Sequence, residues 1–309
     1  MKILVVSGFL GAGKTTFITH MARRCREKFV VMENEMGAVG VDGGLLSSAL
    51  QQDVKVWELT EGCICCSMKT DFATSVLTIE NALSPEYLLV EPTGVGMLSK
   101  IISNIQGIAY ERISLLSPIT VLDARACHDT AREFPDLFAD QLGAAGTVIV
   151  SKTEGMDSDS REQVRDLVRQ YAPQAEIIAH PYAEQPDAWW SMLWRRQLSG
   201  AIATSSDAGE VELENVGLTH VQPLSPGQLV TLLEKTVRGQ FGHVVRAKGL
   251  LPASNGQEML RFDVVDGRYS ITGAEAGADA RAVFIGRHLK NKALRDALGG
   301  EQAGHAHHH

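Results

Sequence analysis

Short runs of consecutive apolar residues punctuate the first half of the chain, and each ends on a polar or acidic residue. Ile3 to Ser7, Phe29 to Glu33, Tyr87 to Glu91, Ile119 to Asp123 and Thr147 to Ser151 all have this form. Strands with no polar face, separated by helical stretches, belong to a parallel sheet covered on both sides. A helix is expected over Ser158 to Tyr171, opened by Ser and Asp and stopped by Pro173. A short strand at Glu176 to Ala179 and a Trp-rich helix around Asp187 to Gln197 follow. The pattern predicts an α/β fold, a mainly parallel sheet with helices on both faces.

Beyond residue 198 the periodicity fades into small and polar residues, which read as a linker at 201–216. It separates a first domain at 1–200 from a smaller α+β domain at 217–298. There "THVQPLSPGQLVTLLEKTVRG" reads as a strand, a Ser-Pro turn and an amphipathic helix. "GHVVRAKGLL", "MLRFDVVDGRYSITG" and "AVFIGRHL" read as antiparallel strands, with Asp266-Gly267 a hairpin turn. The last residues, 299–309, are His-rich and expected to be flexible.

Composition changes this picture little: 44% hydrophobic and 21% charged residues are ordinary for a globular chain. A formal net charge of -8 offers no general attraction to nucleic acid or an anionic membrane. No apolar run reaches the roughly 20 residues of a membrane-spanning helix. The apolar N-terminal run flows into a Gly-rich loop without a small-residue cleavage site, so it reads as a strand and the expected location is the cytoplasm.

That loop is the first chemical signal. "GFLGAGKTT" fits G-x-x-x-x-G-K-[ST] at Gly8, Gly13, Lys14 and Thr15, between a strand and a helix. Glycines let the backbone amides of Gly11, Ala12, Gly13 and Thr16 turn toward phosphates at the positive end of the helix. Lys14 is expected on the β- and γ-phosphates and Thr15 on Mg²⁺. Polar clusters at other strand ends add to this. Glu91, in "EPTG", is placed to position Mg²⁺ or water, with Gly94 sensing the γ-phosphate. "SKTE" at 151–154 stands where guanine-binding proteins carry Asn-Lys-x-Asp. Lys152 would pack along the base and Glu154 accept from the guanine edge, which favours GTP over ATP.

The second signal is "GCICC", which puts Cys63, Cys65 and Cys66 in four positions. Thiolates favour zinc and also accept cobalt. Neighbouring residues of a regular strand point to opposite faces, so the three converge only in a turn, which Gly62 permits. A redox pair is the alternative reading, and buried structural thiols rank below both. Cys25 and Cys127 stand alone and read as packing residues, as do His20, His128, His243 and His288 as surface or packing groups. The tail "HAHHH" reads equally as a metal-collecting tract and as the remnant of a purification tag.

"GFLGAGKTT", "ENE-G", "GCICC" and "EPTG", in this order, resemble the CobW-type P-loop GTPases of the CobW/HypB/UreG superfamily, and "RAKGLL" and "VFIGRHL" are similar to that family's smaller domain. The resemblance implies a P-loop NTPase fold and a GTP-dependent metallochaperone or helper in cobalamin and metalloenzyme maturation. It implies Cys63, Cys65 and Cys66 as metal ligands, with Glu33 able to join them; a second acid found in some relatives is replaced here by Ala38. It implies Glu91 as the acid of the loop that responds to the γ-phosphate, and a client metalloprotein or cobalamin-pathway protein as partner, with a homodimer possible. GTP and Mg²⁺ would order the loops and gather the thiolates, and hydrolysis would release the ion. Hydrolysis is expected to be slow, for want of an obvious arginine finger or water-orienting glutamine. Two other readings stand beside this one. One is a nucleotide-gated assembly chaperone for a corrinoid or metalloenzyme client, its metal structural. The other is an ATPase with a redox CxC.

Overall fold

The computed structural model describes residues 1–34, 55–59, 69–108, 112–198, 213–256, 258–265, 267–274 and 280–302. The described residues form two compact units, one within 1–198 and one within 213–302.

In the first unit the chain runs β1 (Lys2–Ser7), α1 (Lys14–Arg24), β2 (Phe29–Asn34), β3 (Lys55–Leu59), α2 (Lys69–Leu83), β4 (Tyr87–Glu91) and α3 (Leu98–Ile108). It continues through β5 (Ser114–Leu115), β6 (Ile119–Asp123), α4 (Cys127–Glu133), α5 (Pro135–Gly143) and β7 (Thr147–Ser151). It closes with α6 (Ser158–Tyr171), β8 (Glu176–Ile178) and α7 (Asp187–Leu193). The strands pair in parallel in the order β3-β2-β4-β1-β6-β7-β8, with β5 also alongside β1. The five apolar runs are the five inner strands of this sheet.

The period-2 alternation of a strand divides those runs between two cores. Leu4, Val6, Val31, Leu89 and Ile149 face Phe17, Ile18, Met21, Trp190 and Trp194, from α1, α7 and its C-cap. Ile3, Val5, Met32, Leu88 and Val90 face Val76, Ile79, Ile101, Ile102 and Ile105 of α2 and α3. Both faces are therefore covered, which is why no polar alternation was visible in the sequence. Helix α7 ends at Leu193, short of the expected Gln197, because Trp194 turns into the core against Phe29 and Tyr87 at 4.8 and 5.0 Å between ring centroids. Arg196 then leaves the helical path to pair with Glu176 and reach the Thr147 hydroxyl. Strand β3 and helix α2 were not assigned individually from the sequence. Among the described residues no helix is long and apolar enough to cross a membrane.

The second unit contains β9 (Glu214–Thr219), α8 (Pro226–Val237), β10 (His243–Pro252), β11 (Met259–Val265), β12 (Arg268–Ala274), β13 (Arg281–Arg287), α9 (Asn291–Leu298) and β14 (Glu301–Gln302). Its strands are antiparallel, in the order β12-β11-β10-β13-β9-β14. Val216 and Leu218 of β9 face the core with Leu229, Leu233, Phe262 and Phe284. That inward alternation begins inside the stretch expected as linker, so β9 starts at Glu214 rather than after 216. Likewise β14 pairs with β9 within the segment expected to be flexible. Val265 pairs with Arg268, and Gly267 has φ +65° between them, as a tight hairpin requires; Asp266 lies outside the described residues.

Helix α8 carries a complete capping box: Ser225 Oγ accepts from Gln228 N at 3.2 Å, and Gln228 Oε1 accepts from Ser225 N at 2.8 Å, with Pro226 in the first turn. Ser225→Ala is expected to lower stability by about 1 kcal/mol, measured by urea unfolding of the full chain.

Candidate nucleotide-binding site

Strand β1 has β4 on one side and β5 and β6 on the other, and the glycine-rich loop leaves its carboxyl end. This is where an open parallel sheet receives ligands. Gly8 has φ +145°, and a Cβ there would lie 2.2 Å from the Val121 carbonyl oxygen of β6, so only glycine lets the loop begin this close to the sheet. Gly13, at φ +95°, is the N-cap of α1 and no side chain caps that helix. Its first-turn amides are thus the orphan donors that a helix N-terminus offers to phosphate. Lys14 is buried, and its ammonium donates to the Gly8 carbonyl at 3.0 Å and the Phe9 carbonyl at 3.4 Å. The cation is thereby held over the loop it is expected to serve. Thr16 is exposed at the start of the helix, and Ala12 is buried beneath the loop.

Thr15 Oγ1 lies 3.4 Å from Glu91 Oε1 at the end of β4. Glu91 is the register partner of Glu33 in β2, and both are buried. The Thr15 hydroxyl and the Glu91 carboxylate are hard oxygen donors beside the loop, the kind that suits Mg²⁺. The turn after Glu91 is pressed onto the loop: a Cβ on Gly94 would sit 2.5 Å from Leu10 N. Helix α5 holds the turn from its other side. Gln141 Nε2 donates to the Gly94 carbonyl at 3.3 Å and to the Gly96 carbonyl at 3.1 Å. Asp140 accepts from Ser99 N at 3.2 Å and from the Ser99 hydroxyl. Neither residue was singled out in the sequence, because nothing in "FADQLG" marks a helix that touches a loop more than 40 residues earlier.

The "SKTE" loop closes the other side. Ser151 Oγ lies 2.6 Å from the Ala12 carbonyl and 3.1 Å from the Leu122 carbonyl, so the serine in the asparagine position ties this loop to the phosphate loop. Lys152, at φ +57°, forms an ion pair with Asp123 at the end of β6, and Asp123 also accepts from Arg125 N at 2.8 Å. Asp123 was missed as a site residue; its signal was its position as the acid closing a buried strand. Glu154 is exposed. Burial, with the charge of Glu154 added, pushes the Tyr182 phenol up to about 12.

Cys63, Cys65 and Cys66, the three expected metal ligands, lie outside the described residues, as do Ala38 and the histidines of the tail. No group of three or more His, Cys, Asp or Glu able to hold a metal is present among the described residues. Cys127 is fully buried at the start of α4, and Cys25 caps α1. Burial raises their thiols to about 11 and about 12 respectively. Both are therefore almost wholly protonated near neutral pH and poor nucleophiles. Iodoacetamide at pH 8 is expected to leave Cys25 and Cys127 unmodified in the folded protein, read by peptide mass spectrometry. His20 packs edge-on against Tyr182 at 5.6 Å.

A glycine loop between the central strand of a parallel sheet and a helix N-terminus, with a buried lysine and an acid-hydroxyl pair beside it, defines a P-loop nucleotide-binding protein. Residues 2–179 match the CobW/HypB/UreG nucleotide-binding domain, and residues 213–301 match the cobalamin synthesis protein cobW C-terminal domain. The chain belongs to the CobW/HypB/UreG family. It is similar to the zinc chaperone YjiA of Escherichia coli (strain K12), 30% identical over 97% of this chain and 98% of that protein. It is also 30% identical to the zinc chaperone YeiR of the same organism, over 65% of this chain and 61% of that one. It is 33% identical to the zinc chaperone CobW of Sinorhizobium sp, over 53% and 54%. The chain thus spans little more than half the length of the last two.

Proposed function

We propose that this protein binds GTP with Mg²⁺, hydrolyses it slowly, and uses that cycle to hold a zinc ion and hand it to a client metalloprotein. The observation that carries the reading is the row of acids at the carboxyl ends of three neighbouring strands, β4, β2 and β3. Glu91 stands beside the phosphate loop, Glu33 beside Glu91, and Glu58 of β3 beside Glu33. Strand β3 ends at Leu59, and the Cys-x-Cys-Cys sequence follows within four residues. Strand β3, which precedes the thiols in sequence, therefore ends on the side of the sheet at which the γ-phosphate is expected. YjiA, similar along nearly its full length, is named a zinc chaperone, which favours zinc over cobalt as cargo.

The chain's residues divide the work. Amides of Gly11 to Thr16 and the Lys14 ammonium hold the β- and γ-phosphates, where negative charge grows as the terminal P–O bond breaks and water adds to phosphorus. Thr15 and Glu91 would hold Mg²⁺, which would neutralise phosphate charge. Gly94 lets the turn reach the γ-phosphate. The donors of the Gln141 amide are spent on two backbone carbonyls and so do not orient water, which fits slow turnover. Lys152 and Glu154 would take the base, with guanine preferred to adenine. Cys63, Cys65 and Cys66, with Glu33, would take the zinc ion, and the incomplete protein shell suits an ion that must leave. The smaller unit, from β9 onward, would meet the client, in the cytoplasm.

Equilibrium binding of GTP and ATP with Mg²⁺, followed by single-turnover hydrolysis, tests this. Tighter binding of GTP and slow release of phosphate are expected; equal binding or an ATP preference would overturn the guanine assignment.

A further inference from the structure

We propose that Gln141 and Asp140 are positioning residues for the γ-phosphate-facing turn, and that helix α5 is the element through which the nucleotide state leaves the site. This rests on the GTPase reading above. Gln141 is almost fully buried, and both its side-chain donor bonds go to one turn, at the Gly94 and Gly96 carbonyls. Its own carbonyl accepts from Thr120 Oγ1 of β6 at 2.6 Å, so the residue links sheet and turn. Asp140, the preceding residue, accepts from the first-turn amide of α3 at Ser99 and from the Ser99 hydroxyl. A carboxylate there meets both an orphan donor and the positive end of the helix. The turn and the helix that follows it are thus held by adjacent residues of a single element.

On its opposite side the turn has no slack. A Cβ on Gly94 would meet Leu10 N at 2.5 Å and Leu10 Cα at 2.8 Å. A γ-phosphate held by the loop is expected next to that contact. When the turn shifts between the triphosphate and diphosphate states, it must either break the paired bonds to Gln141 or carry α5 with it. The cost of leaving a buried amide's bonds unmade favours the second. Packed elements respond by moving between discrete arrangements rather than by bending gradually. The two residues touch neither phosphate nor base; they act through the turn that carries Gly94.

The test uses the full chain with Gln141→Met, which keeps the volume and removes the donors. Single-turnover GTP hydrolysis is expected to fall roughly 10- to 100-fold, because small misplacements of a positioned group carry penalties of that order. Dissociation constants for GDP and a non-hydrolysable GTP analogue should stay within about threefold, since the lysine and base loop are untouched. Hydrogen exchange across 135–143 should differ between the two nucleotides in wild type and lose that difference in the variant. A purely structural role predicts instead a lower unfolding temperature with hydrolysis and exchange unchanged, and that result overturns the proposal. If Gln141→Met does not fold, Thr120→Val loosens the same link, and unchanged hydrolysis and exchange there overturn it as well. Wild-type protein that fails to bind GTP would sink the GTPase reading and this inference together. Normal wild-type turnover with an insensitive variant would sink only this one.

Discussion

Lys14→Ala is expected to abolish measurable GTP hydrolysis and to weaken GTP and GDP binding by roughly two to three orders of magnitude, the scale of removing a preorganised charge partner. Lys14 is a buried cation held over the phosphate loop by the Gly8 and Phe9 carbonyls. A charge fixed in a water-poor place acts on phosphate far more strongly than one in bulk solvent. It also needs little reorganisation when the ligand arrives. Truncation removes both the charge and the two bonds to the loop, so thermal unfolding should accompany the binding assay. Isothermal titration with both nucleotides reads the effect. Unchanged binding would mean that the loop is a structural turn and not the phosphate site.

Gly94→Ala is expected to separate hydrolysis from binding. The added methyl would lie 2.5 Å from Leu10 N and 2.8 Å from Leu10 Cα, both backbone atoms that cannot rotate away. The turn must lift off the loop, which moves the peptide meant to meet the γ-phosphate. Hydrolysis should fall about 100-fold or more, whereas affinity for GDP, which lacks that phosphate, should hardly change. Gly107→Ala is the control, because a Cβ at that position meets nothing within 4 Å. Stopped-flow nucleotide binding and single-turnover hydrolysis on both variants check this. Equal loss in GDP binding would contradict a selective role for the turn.

Much of the first unit was legible because its strands are buried on both faces. Five runs such as "ILVVS" and "TVIVS" have no solvent side to dilute them, and Pro173 stops α6 close to where it must. The phosphate loop was legible for a different reason: its chemistry is contiguous, so spacing alone brings Gly13, Lys14 and Thr15 together. What could not be read depends on contacts between distant segments. Gln141 looks like any helix glutamine until Gly94 and Gly96 are placed against it. Asp123 gains its role only through Lys152. The end of α7 was misplaced because Trp194 is drawn into the core, a tertiary effect that helix propensity does not encode. Strand β14 exists only because β9 offers it an edge. The Glu33, Glu58 and Glu91 row appears only once β3, β2 and β4 are in register.

In the proposed cycle nucleotide state controls metal affinity, and coupling of this kind must be reciprocal. The most direct measurement is zinc titration of the metal-free protein in the presence of GDP and of a non-hydrolysable GTP analogue, in wild type and in Cys65→Ala. Zinc affinity is expected to differ about tenfold or more between the two nucleotides, with the difference lost in Cys65→Ala. Zinc binding that is the same with both nucleotides, or that survives the substitution unchanged, would contradict it.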